Sequence, residues 1–449
     1  MQNSRPHFPI DSNTANSHDP STATHTPLKN KVYWYSLKAP KPGAALSKDL
    51  KTTVAVIGGG VAGLSCAQKL HAAGVPVVLI EKKFCGAGAS GKTSGFITPD
   101  SEIELSSLLE SYGPEKAKHI WEFVLSGVAL IQKNIRDYKI DCDHQVQDSL
   151  LIANNASGFE AIKKEDEARK SLGYSSTLYD STTIKNAIHS EHTVGAVRYP
   201  KTFGINSYLY CLALRDELRK SGVPIFEQTK AERIEDHTIF TPGGQITADK
   251  IILCTDRFIP ELDIAKKEIY HVQTFLGVTK PLSDQALKSI FPSDPMMVWD
   301  SDLVYNYFRV TGDQRLLIGG GDLFYTYARE LSRNTARFSR RLTNYIHKKF
   351  PTLDFQLEYL WPGMLGVSKD LLPIMGPDKN NSALWMVGAA TGLPWAAALG
   401  VYAAEKILTN RNDFDADFSP ERHFTIGPRL QSLLTTPLTY ALSHGLAKR

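Results

Sequence analysis

Residues 1 to about 30 are mostly Ser, Thr, Asn, His and Pro, with too few large apolar groups to offset the entropy of ordering them. Residues 1–31 are therefore read as a disordered tail. Aromatic residues cluster at Tyr33–Tyr35, so ordered chain is expected from Val32 on. A basic link bearing Pro and Gly then leads into the first strong strand, Thr53–Ile57. Between Glu102 and Asp137 the apolar positions (Leu105, Leu108, Leu109, then Ile120, Phe123, Val124, Leu130, Ile131, Ile135) recur at helical spacing and predict two amphipathic helices. From Ser149 to Pro200 short apolar strands alternate with charged helices, and the acid and base mixture of EAIKKEDEARKSLG reads as a solvated face.

A helix over Ser207–Lys220, the strand VPIFE, the hairpin HTIFTPGGQIT and the strand KIILCTD return the chain to the pattern of its first part. Strands, the hairpin LVYNYFRVTGDQRLLIGGG and a helix ending near Phe350 occupy Ile269–Trp361 and suit a mainly antiparallel sheet. The strand LWMVGAA and a helix from Pro394 to Leu408 then rejoin the first domain. A chain of 449 residues exceeds the size at which one core usually divides. The expected architecture is α/β: a Rossmann-type domain made discontinuously from 32–140, 201–265 and 362–425, and an α+β domain from 141–200 and 266–361. The segment 426–449 carries Leu430, Leu433, Leu434 and Leu438 at helical spacing. It is read as docking on the chain's own core, with a partner protein or peripheral membrane contact as alternatives.

A formal charge of +4, spread along the sequence without a long basic stripe, argues against nucleic acid as a partner. The five cysteines stand apart with no C-x-x-C pair, which suggests neither a metal site nor a disulfide framework and fits a reducing cytoplasm. No apolar run reaches the ~18 residues of a membrane span, and no secretory signal opens the chain.

Chemistry begins at the first strand. VAVIG runs into Gly58-x-Gly60-x-x-Gly63, with Val61 and Ala62 opening a helix, and the next strand, VPVVLIE, ends at Glu81. Gly58 permits the tight turn, Gly60 lets backbone approach a pyrophosphate, and Gly63 lets helix and strand pack closely. The helix amino terminus offers unpaired N–H groups to the anion, and Glu81 would accept from a ribose hydroxyl. The passage C-G-A-G-A-S-G-K-T-S-G (Cys85–Gly95) is small enough for backbone to pass beside an extended cofactor. Gly319–Gly321 ends a hairpin strand and is not followed by G-x-x-G and a helix, so no second dinucleotide site is expected. With one such site, the cofactor must be reduced by substrate and reoxidised by oxygen or another acceptor, the logic of a flavoenzyme. An NAD-linked dehydrogenase remains the alternative enzyme class, and a flavin-holding scaffold without turnover the alternative outside it.

These residues resemble FAD-dependent oxidoreductases of the D-amino-acid-oxidase family, especially those similar to gamma-glutamylputrescine oxidase and glycine oxidase. The likeness rests on VAVIGGGVAGL with Glu81, GASGKTSG, IILCTD, YNYFRVTGDQRLLIGGG, WPGMLGVSKDLLPIMG and VGAATGLPWAAALG, in that order. It implies FAD, held non-covalently. Gly58, Gly60, Val61, Ala62, Gly63, Glu81, Lys82, Ala89, Ser90 and Ala231 would meet the ADP half, with Thr255 beside them. Thr93, Ser94 and Gly95 would approach the flavin ring from one side, and Gly388, Gly392, Leu393 and Pro394 from the other end of the chain.

Amino-acid oxidases of the glycine oxidase kind carry an Arg in a W-x-G-x-R segment for the substrate carboxylate; here that position is Leu365. The departure favours a primary or secondary amine, such as a polyamine derivative, over a D-amino acid or glycine, although Arg309 or Arg315 could supply the missing charge. Tyr305, with Tyr307 on the same strand face, matches a substrate-contacting tyrosine of relatives and equally suits sheet packing. His271 and Gln273 are candidates to line the pocket, or else hydrogen-bonded structure. Lys369 is a candidate catalytic group, or else a turn lysine.

Overall fold

The computed structural model describes residues 27–100, 102–321 and 335–424, together with 426, 427, 431, 434, 438, 439, 441 and 442. The strand Leu50–Ile57 lies inside a parallel sheet whose order is Asn381–Gly388, Gly244–Leu253, Leu50–Ile57, Val77–Ile80, Ile225–Phe226. Its side chains alternate between two cores: Val54 and Val56 pack with the helix Val61–Ala72, and Ala55 and Ile57 with the opposite face. A strand buried on both faces has to be apolar throughout, which is why VAVI reads as an unbroken run. Two antiparallel additions complete this sheet, the hairpin Arg233–Glu235 with Thr238–Thr241 and the strand Ile374–Asp378.

Helices Val61–Ala72, Leu105–Asp137 and Leu393–Thr409 cover one face. The expected pair of helices between Glu102 and Asp137 is present: Leu105–Asp137 is two helices that meet at a kink at Gly113 (φ 76°) and Pro114, where the missing N–H and the positive-φ residue interrupt the ladder. Phe123 on its inner face meets Trp395, Tyr402, Phe414 and Phe418 at ring distances of 4.6–5.9 Å.

A second eight-stranded sheet runs Leu357–Val367, Tyr270–Pro281, Arg315–Gly320, Asn306–Val310, Met297–Asp300, Ser149–Ala153, Gly195–Tyr199, Thr177–Tyr179. It is antiparallel except where Met297–Asp300 runs beside Ser149–Ala153. The helix Thr335–Lys349 covers one face through Phe338, Leu342 and Ile346. Among the described residues no helix is long and apolar enough to cross a membrane.

Three expectations change. Lys29 exchanges backbone hydrogen bonds with Glu358 and Leu360 at 2.8 and 3.0 Å, so the chain is built into the fold before Val32; residues 1–26 lie outside the described residues. The strand Leu357–Val367 is continuous, which moves the boundary drawn at 361/362 beyond Val367. The charged helix Ala156–Ser171 is not solvated all round. Glu165 and Arg169 are buried and bonded to each other at 2.8 Å, Arg169 also pairs with Asp100, and its guanidinium lies 3.4 Å over the Tyr199 ring. Of the terminal leucines, Leu430 and Leu433 lie outside the described residues, Leu434 is half-buried and Leu438 is exposed.

Phe123→Ala removes the ring that joins three helical segments and should destabilise the protein by roughly 3–5 kcal/mol. A fall in the thermal unfolding midpoint, measured against wild type, checks this.

Candidate cofactor and substrate cavity

The carboxyl ends of four parallel strands, at Ile57, Ile80, Cys254 and Val387, open on a cavity of about 780 Å³. Outside the strand ends of a parallel sheet is where helix amino termini and loops converge, and where such folds hold ligands. The second sheet supplies the facing wall through Val272, Thr274, Leu276, Tyr307 and Trp361.

At the nucleotide end, Gly58 adopts φ 113° and its N–H donates to the Ile80 carbonyl at 2.8 Å. A Cβ on Gly63 would collide with the Gly58 carbonyl oxygen, so the close approach of helix and turn requires glycine there. The helix begins at Val61 with no side-chain cap, leaving its first N–H groups as a positive end; the Val61 N–H meets Ser90 Oγ at 3.1 Å. Glu81 is held by the N–H groups of Gly59 (2.8 Å) and Lys83 (2.9 Å), while burial pushes its pKa up. Burial pulls the Lys82, Lys92 and Arg257 pKa values down, Lys92 further through the neighbouring charges of Lys83, Arg257 and Lys82. Lys82 and Arg257 both lie over the Phe258 ring, at 3.1 and 3.7 Å. Partly desolvated cations in the same cavity as an uncapped helix start and a glycine-only approach fit the diphosphate of a dinucleotide.

Of the expected cofactor residues, Gly58, Gly60, Ala62, Glu81, Lys82, Ala89, Ser90, Thr93, Ser94, Ala231, Thr255, Gly392, Leu393 and Pro394 line the cavity. Val61, Gly63, Gly95 and Gly388 stand behind the lining. Gly95 backs onto Ile205 and Arg309, and Gly388 onto Ile259 and Ile269.

The far end is aromatic and acidic. Phe96, Trp299, Tyr305 and Tyr307 line it with ring distances of 5.8–6.4 Å, and Asp100 and Glu102 join them. The Tyr305 hydroxyl donates to Glu102 at 2.8 Å. Burial pushes the Tyr307 phenol up to about 12, so it stays protonated at neutral pH.

Of the candidate catalytic residues Tyr305, His271 and Lys369, the last two are not brought to this cavity. On Tyr270–Pro281 the residues facing it are Val272, Thr274 and Leu276, so His271 and Gln273 belong to the opposite parity. His271 Nε2 instead meets the Arg257 carbonyl at 3.0 Å. Lys369 bonds to Gln431 Oε1 at 2.7 Å and the Ile426 carbonyl at 3.3 Å, tying down the terminal segment. Arg309 and Arg315 are also spent elsewhere: the first on the carbonyls of Ser94 and Ile205, both at 2.7 Å, the second on Glu358 and Asp313. Leu365 does line the cavity. Sequence reasoning missed Asn30, Lys31 and Val32, which also line it, and the pairing of the lining residue Asp100 with the buried Arg169; an i,i+4 Glu165–Arg169 spacing was the one available signal for the latter.

Glu81→Ala removes the acceptor of two backbone N–H groups together with that for the ribose. Dinucleotide affinity should fall about tenfold to a hundredfold, as expected for lost charge-assisted hydrogen bonds; titration of the apoprotein followed by fluorescence measures it.

The family model described as FAD dependent oxidoreductase matches residues 53–406. The chain is 26% identical over 393 residues to gamma-glutamylputrescine oxidoreductase of Escherichia coli, covering 85% of this chain and 90% of that protein. Its fold superposes on L-proline dehydrogenase from P. horikoshii with a TM-score of 0.70 at 19% identity, over 83% of this chain and 97% of that one. Glycine oxidase from Geobacillus kaustophilus gives a TM-score of 0.68 at 19% identity, over 84% and 100%. With the glycine turn, the cationic end and the match across most of its length together, the chain belongs to the D-amino-acid-oxidase family of FAD-dependent oxidoreductases.

Proposed function

We propose that the protein oxidises a primary or secondary amine, such as a polyamine derivative, to an imine. The observations that carry this reading are the aromatic, acidic end of the cavity and, elsewhere in its lining beside Val272, Leu365 at the position of a carboxylate-binding arginine. The described lining there holds no arginine, since the Arg257 guanidinium lies with Lys82 over Phe258. Asp100 is already paired with Arg169, so it is Glu102, accepting from Tyr305, that disfavours a carboxylate-bearing substrate and favours a cationic amine.

Bound FAD supplies the hydride acceptor, later reoxidised by oxygen or another carrier. The chain must deliver the amine neutral and oriented. Holding an alkyl amine of pKa roughly 10 unprotonated at pH 7 costs about 4 kcal/mol; a dry aromatic wall lowers that cost by disfavouring the ammonium, and does so against Glu102, which attracts the amine as a cation. Phe96, Trp299 and Tyr307 form such a wall. Tyr307 remains a neutral hydrogen-bonding group, while Glu102 fixes the orientation of Tyr305. The substrate carbon gives up a hydride and its nitrogen lone pair closes the C=N bond; water then releases carbonyl product and ammonia or amine. Cys254 also lines the cavity, but burial pushes its thiol up to about 12, so it is not a thiolate ready to tether the flavin. Five buried thiols without a disulfide suit a reducing, cytoplasmic setting.

Anaerobic mixing with amines and amino acids tests the reading. Mono- and polyamines should bleach the flavin, faster as pH rises toward the amine pKa, because only the neutral form reacts. Bleaching by amino acids alone, or by nothing in the panel, would defeat it. Acid precipitation should leave the flavin in the supernatant.

A further inference from the structure

We propose that Trp34, which lies in the amino-terminal segment preceding the 53–406 family match, is a positioning residue of the cofactor site. The loop after the small-residue passage has its carbonyls taken one after another. Lys92 O accepts from Trp361 Nε1 at 3.0 Å, Thr93 O from Trp34 Nε1 at 2.9 Å, and Ser94 O from Arg309 Nε at 2.7 Å. The Gly95 carbonyl then accepts from the Ile205 N–H at 2.9 Å.

The three side-chain donors come from 269, 59 and 215 residues away along the sequence, and all three are fully or almost fully buried. Indole and guanidinium N–H groups can only donate, so each fixes the sense of the peptide it grips. Because a trans peptide sets its C=O and N–H in opposite directions, gripping these carbonyls turns the N–H groups of Thr93, Ser94 and Gly95 away from the donors. Lys92, Thr93 and Ser94 line the cavity, so this grip sets which groups the loop shows to the ring of a bound flavin.

The donors also brace one another. The Trp34 and Trp361 rings meet edge-on at 6.4 Å, and the Arg309 guanidinium stands 5.7 Å from the Trp34 ring. The segment carrying Trp34 is fastened by bonds of its own that do not involve the loop: Lys29 pairs with the strand Leu357–Val367, and the Tyr33 hydroxyl donates to Asp313 at 2.6 Å. Asn30, Lys31 and Val32 between them form part of the cavity wall. The amino-terminal segment is thus a wall of the site and one jaw of a clamp on its loop. This inference rests on placing the flavin ring against residues 93–95.

Trp34→Phe keeps an aromatic ring and deletes the N–H, and Tyr33→Phe deletes a bond of the same segment that is made to Asp313 and not to the loop. Titrating the two apoproteins with FAD separates positioning from fastening, and needs no substrate, so it is independent of the amine reading. Trp34→Phe should raise the FAD Kd roughly tenfold, about the value of one buried hydrogen bond, and shift the visible band of the bound flavin. Trp361→Phe should move both in the same direction, whereas Tyr33→Phe should lower the melting temperature and leave Kd and band at wild-type values. A wild-type Kd and spectrum in Trp34→Phe, or equal changes in Trp34→Phe and Tyr33→Phe, would overturn the proposal.

Discussion

The rest of the molecule depends on the contact between the Gly58 carbonyl and Gly63, where the helix Val61–Ala72 crosses the end of the central strand with no side chain between them. That approach aims the uncapped helix start into the cavity, beside Glu81 and the cations Lys82, Lys92 and Arg257. Any Cβ at position 63 would push the helix away from the strand and retract its positive end. The long helix Leu393–Thr409 and the aromatic cluster around Phe123 serve the same geometry, since they pack behind that first helix and hold it against the sheet.

From this arrangement the cavity acquires two chemically distinct ends. Cations whose pKa burial lowers line the cavity together with the helix start, and rings with two carboxylates line it where the second sheet faces it. Under the proposed reading, a dinucleotide takes one end and an amine the other, with the ring region between them for hydride transfer. The buried Arg169, bonded to both Asp100 and Glu165, keeps one of the far-end carboxylates paired, which lowers the cost of placing acids in an apolar wall.

What the sequence made legible was local. The fingerprint is a matter of spacing within one strand, turn, helix and strand, and the small-residue passage and the Gly392–Pro394 turn are likewise short motifs. Parity on the strand Tyr270–Pro281 was not legible, because it is buried on both faces and shows no alternation to separate His271 from Val272. Arg169 was hidden among the charges of its helix, whose inner face is covered by neighbours that composition cannot reveal. Lys369 looked like a pocket group until Gln431, 62 residues on, took its ammonium. The roles of Lys29 and Trp34 depend on partners as distant as Glu358 and Thr93, and an amino-terminal stretch read by composition alone gives no sign of them.

The most direct measurement is a crystal structure of the protein grown with FAD. The account places the diphosphate oxygens within hydrogen-bond distance, about 2.7–3.2 Å, of the N–H groups at the Gly60–Ala62 turn, with Glu81 on the ribose. A nucleotide seated elsewhere, with that helix start facing only water, would contradict it.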